Sequence, residues 1–147
     1  MSDLTDLYQE IILDHNKRPR NYREMPECTC QAEGLNPLCG DEVKISVRLE
    51  DETLADVAFQ GQGCAISRAS ASIMTGKTKG RTKDEARSMS GQVRDMLLGP
   101  EVAPPQELGD LVALSGVRKF PARIKCAMLP WRTLEAALDG RPAVTTE

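Results

Sequence analysis

The stretch NPLCGDEVKISVRLEDETLADVAFQGQGCAIS, residues 36–67, carries the clearest structural pattern in the chain. Apolar and polar residues alternate over 43–49, which predicts a β-strand with one buried face and one face toward water. A second strand is predicted over about 54–60, after the acidic turn EDE, and the short connection favours an antiparallel hairpin. The inward-facing residues of this second strand are expected to be Ala55, Val57 and Phe59.

A helix is predicted on the N-terminal side of the hairpin, over residues 2–15, because apolar side chains recur there at helical spacing. Pro19 cannot continue a helix without losing a hydrogen bond, so the helix is expected to end before it. Residues 20–40 are rich in Pro and Gly and predict mostly loop, with one short strand near 31–35.

Helices are also predicted on the C-terminal side of the hairpin. The glycines of GQGC, 61–64, allow a sharp exit from the strand, which places Cys64 at or near a helix N-terminus. TKDE at 82–85 has the pattern of a capping box, and the helix that it begins is expected to end at Gly99. Another short helix is expected near 108–114.

The last predicted helix covers about 122–138 and contains an internal proline. Pro130 lacks the N–H that would bond the carbonyl of residue 126, so a kink or a break into two helices is expected. The order of elements predicts an α+β fold, with a small antiparallel β-sheet of about three strands and helices packed on one face. A single domain is expected over residues 1–147.

The composition argues against several classes of function. With 19 basic and 22 acidic residues, the formal net charge is -3, which disfavours a nucleic-acid-binding surface. No apolar run approaches the ~20 residues of a membrane span, and the N-terminus lacks a signal-peptide pattern, so a cytoplasmic location is expected. Because a reducing cytosol keeps thiols free, the five cysteines indicate metal binding or catalysis rather than disulfides.

Three of the cysteines lie in motifs that could form one metal site. Cys39-Gly40-Asp41 offers a sulfur and an oxygen ligand two residues apart, and the glycine allows the backbone to turn between them. Cys64 follows 25 residues later and Cys126 a further 62 residues on, so only the fold can bring them together. Spacing alone leaves a joint metal site and scattered core thiols as open alternatives.

The three cysteine motifs NPLCGD, GQGCAIS and RIKCAMLPW occur in this order, after the leader DHNKRPRN at 14–21. They resemble the motifs of the U-type iron–sulfur cluster assembly proteins, which include the IscU and NifU N-terminal-like proteins, and the resemblance covers nearly the whole chain. The chain looks most like the SufU branch, because residues 80–100 fall where SufU proteins are longer than IscU scaffolds. The resemblance implies a SufE/NifU-like fold.

Two departures from the IscU pattern favour the same branch. Lys125 stands where IscU scaffolds carry a histidine before the third cysteine, which removes a metal ligand. The stretch RKFPARIK, 118–125, stands where they carry the chaperone motif LPPVK, which removes the expected chaperone contact.

SufU proteins are zinc-dependent sulfur acceptors for a SufS-type cysteine desulfurase, itself a pyridoxal-phosphate enzyme. The resemblance therefore implies a sulfurtransferase that supplies a downstream iron–sulfur scaffold. It implies that the zinc ligands are Cys39, Asp41, Cys64 and Cys126. It also implies that Cys39 is the sulfur acceptor, released when a residue of the desulfurase takes its place on the metal.

Two other functions stay open. A scaffold that assembles a [2Fe–2S] cluster uses the same thiols, and a purely structural zinc module involves no thiol chemistry.

Three thiolates and a carboxylate around Zn²⁺ leave the site negatively charged. Arg123, on the same predicted helix face as Cys126, is therefore expected to pair with Asp41 or with the freed Cys39. The alternative is an ordinary surface arginine.

The remaining candidates are given structural interpretations. His15, the single histidine of the sequence, is expected to have a structural or partner-surface role. Cys28 and Cys30 are expected to be exposed, non-essential thiols. Trp131 is expected to pack in the core or at a helix contact. The basic segment KTKGRTK, 77–83, is expected to form a solvated face.

Overall fold

The structure, a computed structural model, describes residues 3–100 and 106–146. Its α-helices in these ranges are α1 (Asp3–Lys17), α2 (Ala65–Thr78), α3 (Lys83–Leu98) and α4 (Pro121–Leu138). A 3-10 helical segment, Gln106–Lys119, precedes α4 and is interrupted at Gly109, whose backbone is not helical. The strands are β1 (Cys30–Asn36), β2 (Asp41–Glu50), β3 (Thr53–Gln62) and β4 (Ala143–Thr145). None of the described helices is long and apolar enough to cross a membrane.

The strands form one mixed sheet in the order β3-β2-β1-β4. The expected antiparallel hairpin is confirmed as β2–β3, and the short strand expected near 31–35 is confirmed as β1. The sheet differs from the expected three antiparallel strands by β4, which pairs in parallel with β1. This strand has only three residues, too few for an alternating pattern, and it forms because the chain returns along the free edge of β1.

The register of the β2–β3 pair shifts between Arg48 and Leu49, which leaves Ala55 as the extra residue of a β-bulge. The expectation that Ala55 points inward is wrong, because the bulge moves the alternation by one residue and buries Leu54 instead. The two later inward positions are confirmed as buried, namely Val57 and Phe59.

Helices cover one face of the sheet, with α4 against β1 and β2 and with α2 against β3. The contact of α4 with β1 is close because β1 carries Gly34, where any Cβ would overlap Thr133 Oγ1. Trp131 of α4 is fully buried, which confirms its expected place in the core. This packing determines the position of the N-terminal half of α4 relative to the β1–β2 hairpin.

Helix α4 runs through Pro130 as one helix, so of the two outcomes expected there, a kink or a break, the break into two helices does not occur. Proline removes one backbone hydrogen bond. The flanking residues 126–131 are all buried, and their apolar contacts hold the helix together despite that loss. The other helix boundaries follow local signals, such as the capping box in which Thr82 Oγ1 accepts from Glu85 N at 3.1 Å.

Candidate metal centre

The turn between β1 and β2 places two candidate ligands side by side. Asn36, the last residue of β1, pairs with Asp41, the first residue of β2, and residues 37–40 form the turn between them. Gly40 has a φ of 72°, a left-handed conformation that favours glycine. The turn leaves Cys39 half-buried, whereas the Asp41 side chain points into the protein and is fully buried.

The start of α2 brings Cys64 against Asp41. Cys64 is the N-cap residue of α2, as the sequence predicted, and its side chain makes no capping hydrogen bond. Its backbone N–H donates to Asp41 Oδ1 at 2.8 Å, and its Sγ lies 3.8 Å from Asp41 Oδ2. Gly63 is needed here because a Cβ at that position would lie 2.5 Å from Asp41 Oδ1. The carboxylate is therefore held between β2 and α2.

Helix α4 supplies the third thiol. Cys126 is fully buried, and its Sγ lies 3.3 Å from Cys39 Sγ. One ligand atom from each of Cys39, Asp41 and Cys126 lies within 4.8 Å of the other two. Zinc takes thiolate and carboxylate ligands at about 2.0–2.3 Å in a tetrahedron, which sets its ligand atoms roughly 3–4 Å apart. The spacing and the donor chemistry of these three residues therefore suit zinc. Cys64 lies outside this set but next to Asp41, which makes it a fourth candidate, and the four residues together form the thiol cluster.

The electrostatics of the cluster favour an added positive charge. Burial raises the pKa of the Cys126 thiol, and hydrogen bonds with Asp41 and Cys39 raise it further. Such a thiol becomes a thiolate at neutral pH only when a cation offsets the charge, as a bound metal does. The cluster also raises the pKa of Arg123, first through a hydrogen bond with Cys126 and then through the charge of Cys64.

Arg123 lies at the solvent side of the cluster. Its Nη1 is 4.0 Å from Cys39 Sγ, so the structure places it beside one of the two partners expected from the sequence. The side chain is exposed, on the first turns of α4. Lys125, two residues further on, is also exposed, and a protonated lysine has no lone pair to offer a metal.

The other sequence candidates lie outside this cluster. His15 is buried, and its Nδ1 is 2.7 Å from Ser72 Oγ, which accounts for a structural role. Burial lowers the pKa of His15. The expectation that Cys28 and Cys30 are exposed is wrong, because both are half-buried and Cys30 packs against the core where β1 begins. Burial raises the pKa of Cys30, which makes it a poor nucleophile.

The basic segment 77–83 is paired rather than simply solvated. Lys79 Nζ lies 3.4 Å from Asp56 Oδ1, and Lys83 Nζ lies 3.3 Å from Glu52 Oε2. Arg81 Nη1 lies 3.8 Å from Glu85 Oε2. These cations therefore pair with carboxylates of the protein itself, none of which belongs to the thiol cluster.

Asn36 is a site residue that the sequence reasoning missed. Its Nδ2 donates to Cys126 Sγ at 3.5 Å, and the side chain is fully buried. The residue begins the NPLCGD motif, so in sequence it is close to the predicted ligands Cys39 and Asp41. It lies in the Pro- and Gly-rich range 20–40 that predicts mostly loop, and nothing local shows that its amide faces a cysteine 90 positions away.

Comparison with known proteins identifies related chains. A family model described as the NifU-like N terminal domain matches residues 7–127. A Bacillus subtilis (strain 168) protein named zinc-dependent sulfurtransferase SufU is 44% identical over 134 residues, covering 91% of this chain and 90% of that protein. A Streptococcus pyogenes serotype M1 protein named iron–sulfur cluster assembly scaffold protein IscU is 38% identical, covering 94% of this chain and 86% of its own length.

A solved structure shares the fold. The crystal structure of the N-terminal part of a nitrogen-fixing NifU-like protein from Brucella abortus matches with a TM-score of 0.84. The two chains are 25% identical, and the match covers 95% of this chain and 96% of the other. This match confirms the expected α+β fold class.

Proposed function

The chain belongs to the NifU-like N-terminal domain family of iron–sulfur cluster assembly proteins, and on that premise we propose that it accepts persulfide sulfur from a SufS-type cysteine desulfurase, with zinc bound at the thiol cluster. The 44% identity to a protein named zinc-dependent sulfurtransferase supports this function. The sulfur then passes to a downstream iron–sulfur scaffold. A reducing compartment such as the cytoplasm suits the five free cysteines.

The observation that carries the proposal is the unequal exposure of the cluster. Cys39 is half-buried on the hairpin turn, while Asp41 and Cys126 are fully buried behind it. Cys64 is also half-buried, but its backbone is tied to Asp41 at the start of α2. One thiol can therefore meet a partner while the rest of the donor set stays in place, because turns move more easily than packed helices.

The proposed zinc ligands are Cys39, Asp41, Cys64 and Cys126. When bound, zinc stabilises thiolates at neutral pH and takes no part in redox chemistry. The protein's own contribution is to hold the donors on three separate elements: the hairpin, the N-terminus of α2 and the interior of α4.

Sulfur transfer to Cys39 balances without an added oxidant. The Cys39 thiolate attacks the terminal sulfur of the persulfide on the desulfurase, and a new sulfur–sulfur bond forms at Cys39. The bond between that terminal sulfur and the desulfurase cysteine breaks, and its electron pair leaves with the desulfurase cysteine as a thiolate. The terminal proton stays on the transferred sulfur, so Cys39 ends as a persulfide.

The surface around Cys39 supports contact with a partner. Leu38, the residue before it, is 67% exposed. Exposed apolar side chains beside a reactive group are typical of protein contacts. Arg123 adds a positive charge beside Cys39 Sγ, where it can stabilise the thiolate that attacks.

Replacing Arg123 with alanine is expected to slow desulfurase-dependent sulfur uptake by about two- to fivefold, the usual size of the loss of one exposed charge contact. The rate of persulfide formation on the purified chain measures the effect, with zinc content determined in parallel. Arg132→Ala is the control, because Arg132 is exposed on the same helix. Equal rates for Arg123→Ala and the wild type would make Arg123 an ordinary surface residue.

The second candidate function is a scaffold for a [2Fe–2S] cluster, which the 38% identity to a protein named as a scaffold favours. Lys125 weighs against it, since an exposed lysine replaces the additional histidine expected of scaffolds.

Metal analysis of the protein as purified separates sulfur transfer from the scaffold function. Sulfur transfer is supported if the protein holds about one zinc per chain and forms no stable cluster after reconstitution. It also requires labelled sulfur on the chain after incubation with desulfurase and cysteine. A stable visible cluster would support the scaffold.

A further inference from the structure

Asn36 is a fully buried polar residue beside the thiol cluster, and the transfer step described above does not use it. It ends β1 directly opposite Asp41 in the hairpin register. From there its Nδ2 donates to Cys126 Sγ at 3.5 Å. The bond joins α4 to the hairpin that carries Cys39 and Asp41, two parts of the protein that are far apart in sequence.

Thr146, the residue after β4, contacts the oxygen of the Asn36 amide. Thr146 Oγ1 donates to Asn36 Oδ1 at 3.0 Å, and Thr146 N donates to Leu35 O at 3.0 Å. Because a thiolate accepts hydrogen bonds and cannot donate them, it needs the NH₂ side of an amide. A hydroxyl that donates to the amide oxygen leaves the NH₂ side for Cys126. The amide is therefore oriented as a metal-bound thiolate requires.

We propose that Asn36 is a positioning residue of the metal centre, whose amide N–H holds Cys126 Sγ toward Cys39 and Asp41. Thr146, just beyond β4, fixes the amide in that orientation. The inference rests on the proposed function, because it requires Cys126 to be a metal ligand. Cys126 is fully buried, so water cannot solvate its sulfur, and a donor from the protein takes that place. Partners of this kind orient metal ligands and strengthen metal binding.

A merely structural role for Asn36 has a different consequence. If the amide only filled space and satisfied Thr146, an apolar side chain of similar size would leave metal binding unchanged. Thr146 is half-buried and can turn its hydroxyl to water when the amide is gone. Removing one partner of a hydrogen bond costs stability mainly when the other partner is left buried and unsatisfied, and access to water spares the Thr146 hydroxyl that cost. Stability and metal affinity therefore report on the two roles separately.

Asn36→Leu tests the positioning role in the full chain. We expect it to weaken binding of Zn²⁺, and of Co²⁺ as a visible substitute, by about 10- to 100-fold, the usual effect of losing such a partner. Competition with a chelator measures the affinity, and the sulfur-to-cobalt absorption band is expected to shift. Thermal unfolding of the metal-free protein is expected to stay near that of the wild type.

Ser46→Ala is the matched control. It removes a buried hydroxyl from β2 that donates to Gln31 Oε1 at 3.3 Å, outside the thiol cluster. This variant is expected to bind both metals as the wild type does.

The outcomes separate the two proposals. A wild-type protein that binds neither Zn²⁺ nor Co²⁺ overturns the metal site itself. A wild type that binds metal, together with an Asn36→Leu variant that binds it as tightly, overturns only the role of Asn36. Should the variant fail to fold, side-chain amide NMR of the wild type decides. The Asn36 amide proton is expected to shift downfield when Zn²⁺ is added, while that of Gln31 stays; an unmoved Asn36 signal overturns the inference.

Discussion

Cys39→Ser is expected to reduce persulfide acceptance by more than about 100-fold, because a serine hydroxyl is not ionised at neutral pH and does not attack sulfur. The loss is expected even in the presence of the other thiols. Cys126 is fully buried, and Cys64 is held at the start of α2 by its bond to Asp41. Neither lies on the hairpin turn, so neither is expected to replace Cys39 in contact with the desulfurase.

The measurement is the transfer of labelled sulfur from cysteine to the chain in the presence of a cysteine desulfurase. Cys28→Ser is the matched control, since Cys28 is also half-buried but lies outside the thiol cluster. Zinc content and thermal unfolding of both variants show whether the fold persists. A folded Cys39→Ser protein that accepts sulfur at the wild-type rate would contradict the role of Cys39. Impaired folding without any separate defect in acceptance would favour a structural zinc module.

Asp41→Ala is expected to lower zinc affinity by more than about 100-fold, beyond the usual effect of losing an outer partner of a ligand. Two physical effects combine in this variant. The carboxylate oxygen is lost as a metal ligand, and the backbone N–H of Cys64 loses the acceptor that it reaches at 2.8 Å. A partly buried N–H without a partner destabilises the start of α2 and loosens Cys64. Sulfur acceptance is expected to fall with the metal content.

Chelator competition on the purified protein measures this loss. Asp56→Ala is a suitable control, because Asp56 is another largely buried carboxylate, 17% exposed, that pairs with Arg23 and Lys79 instead of the thiols. Asp41→Asn keeps an oxygen for Cys64 N and removes the negative charge, so its zinc affinity is expected to lie between those of Asp41→Ala and the wild type. Unchanged zinc affinity in Asp41→Ala would remove Asp41 from the ligand set.

Much of the fold could be predicted because its signals are local. The alternation over 43–49 requires only neighbouring residues, and β2 formed where that pattern lies. The capping box at Thr82 and the position of Cys64 before α2 depend on a few adjacent residues as well. The expectations that were wrong involve contacts between elements. Ala55 left the inward face through a bulge in strand pairing, and the break considered at Pro130 did not occur because its surroundings are packed.

The candidate site, like the fold, has one part that local sequence signals predict and another that depends on contacts between elements. The sequence alone determined that Cys39 and Asp41 would lie close together across a bend of the backbone, since the glycine between them, Gly40, readily adopts the left-handed conformation found there. Spacing in the sequence could not determine that Cys126 would join them from 87 residues away, although the family resemblance implied it. Only the close packing of α4 on β1 at Gly34 decided that meeting, and it also brought the Asn36 amide to the sulfur. The physical reason is that a turn is set by the dihedral preferences of adjacent residues, whereas a metal site is set by distances between elements that only the packed core establishes.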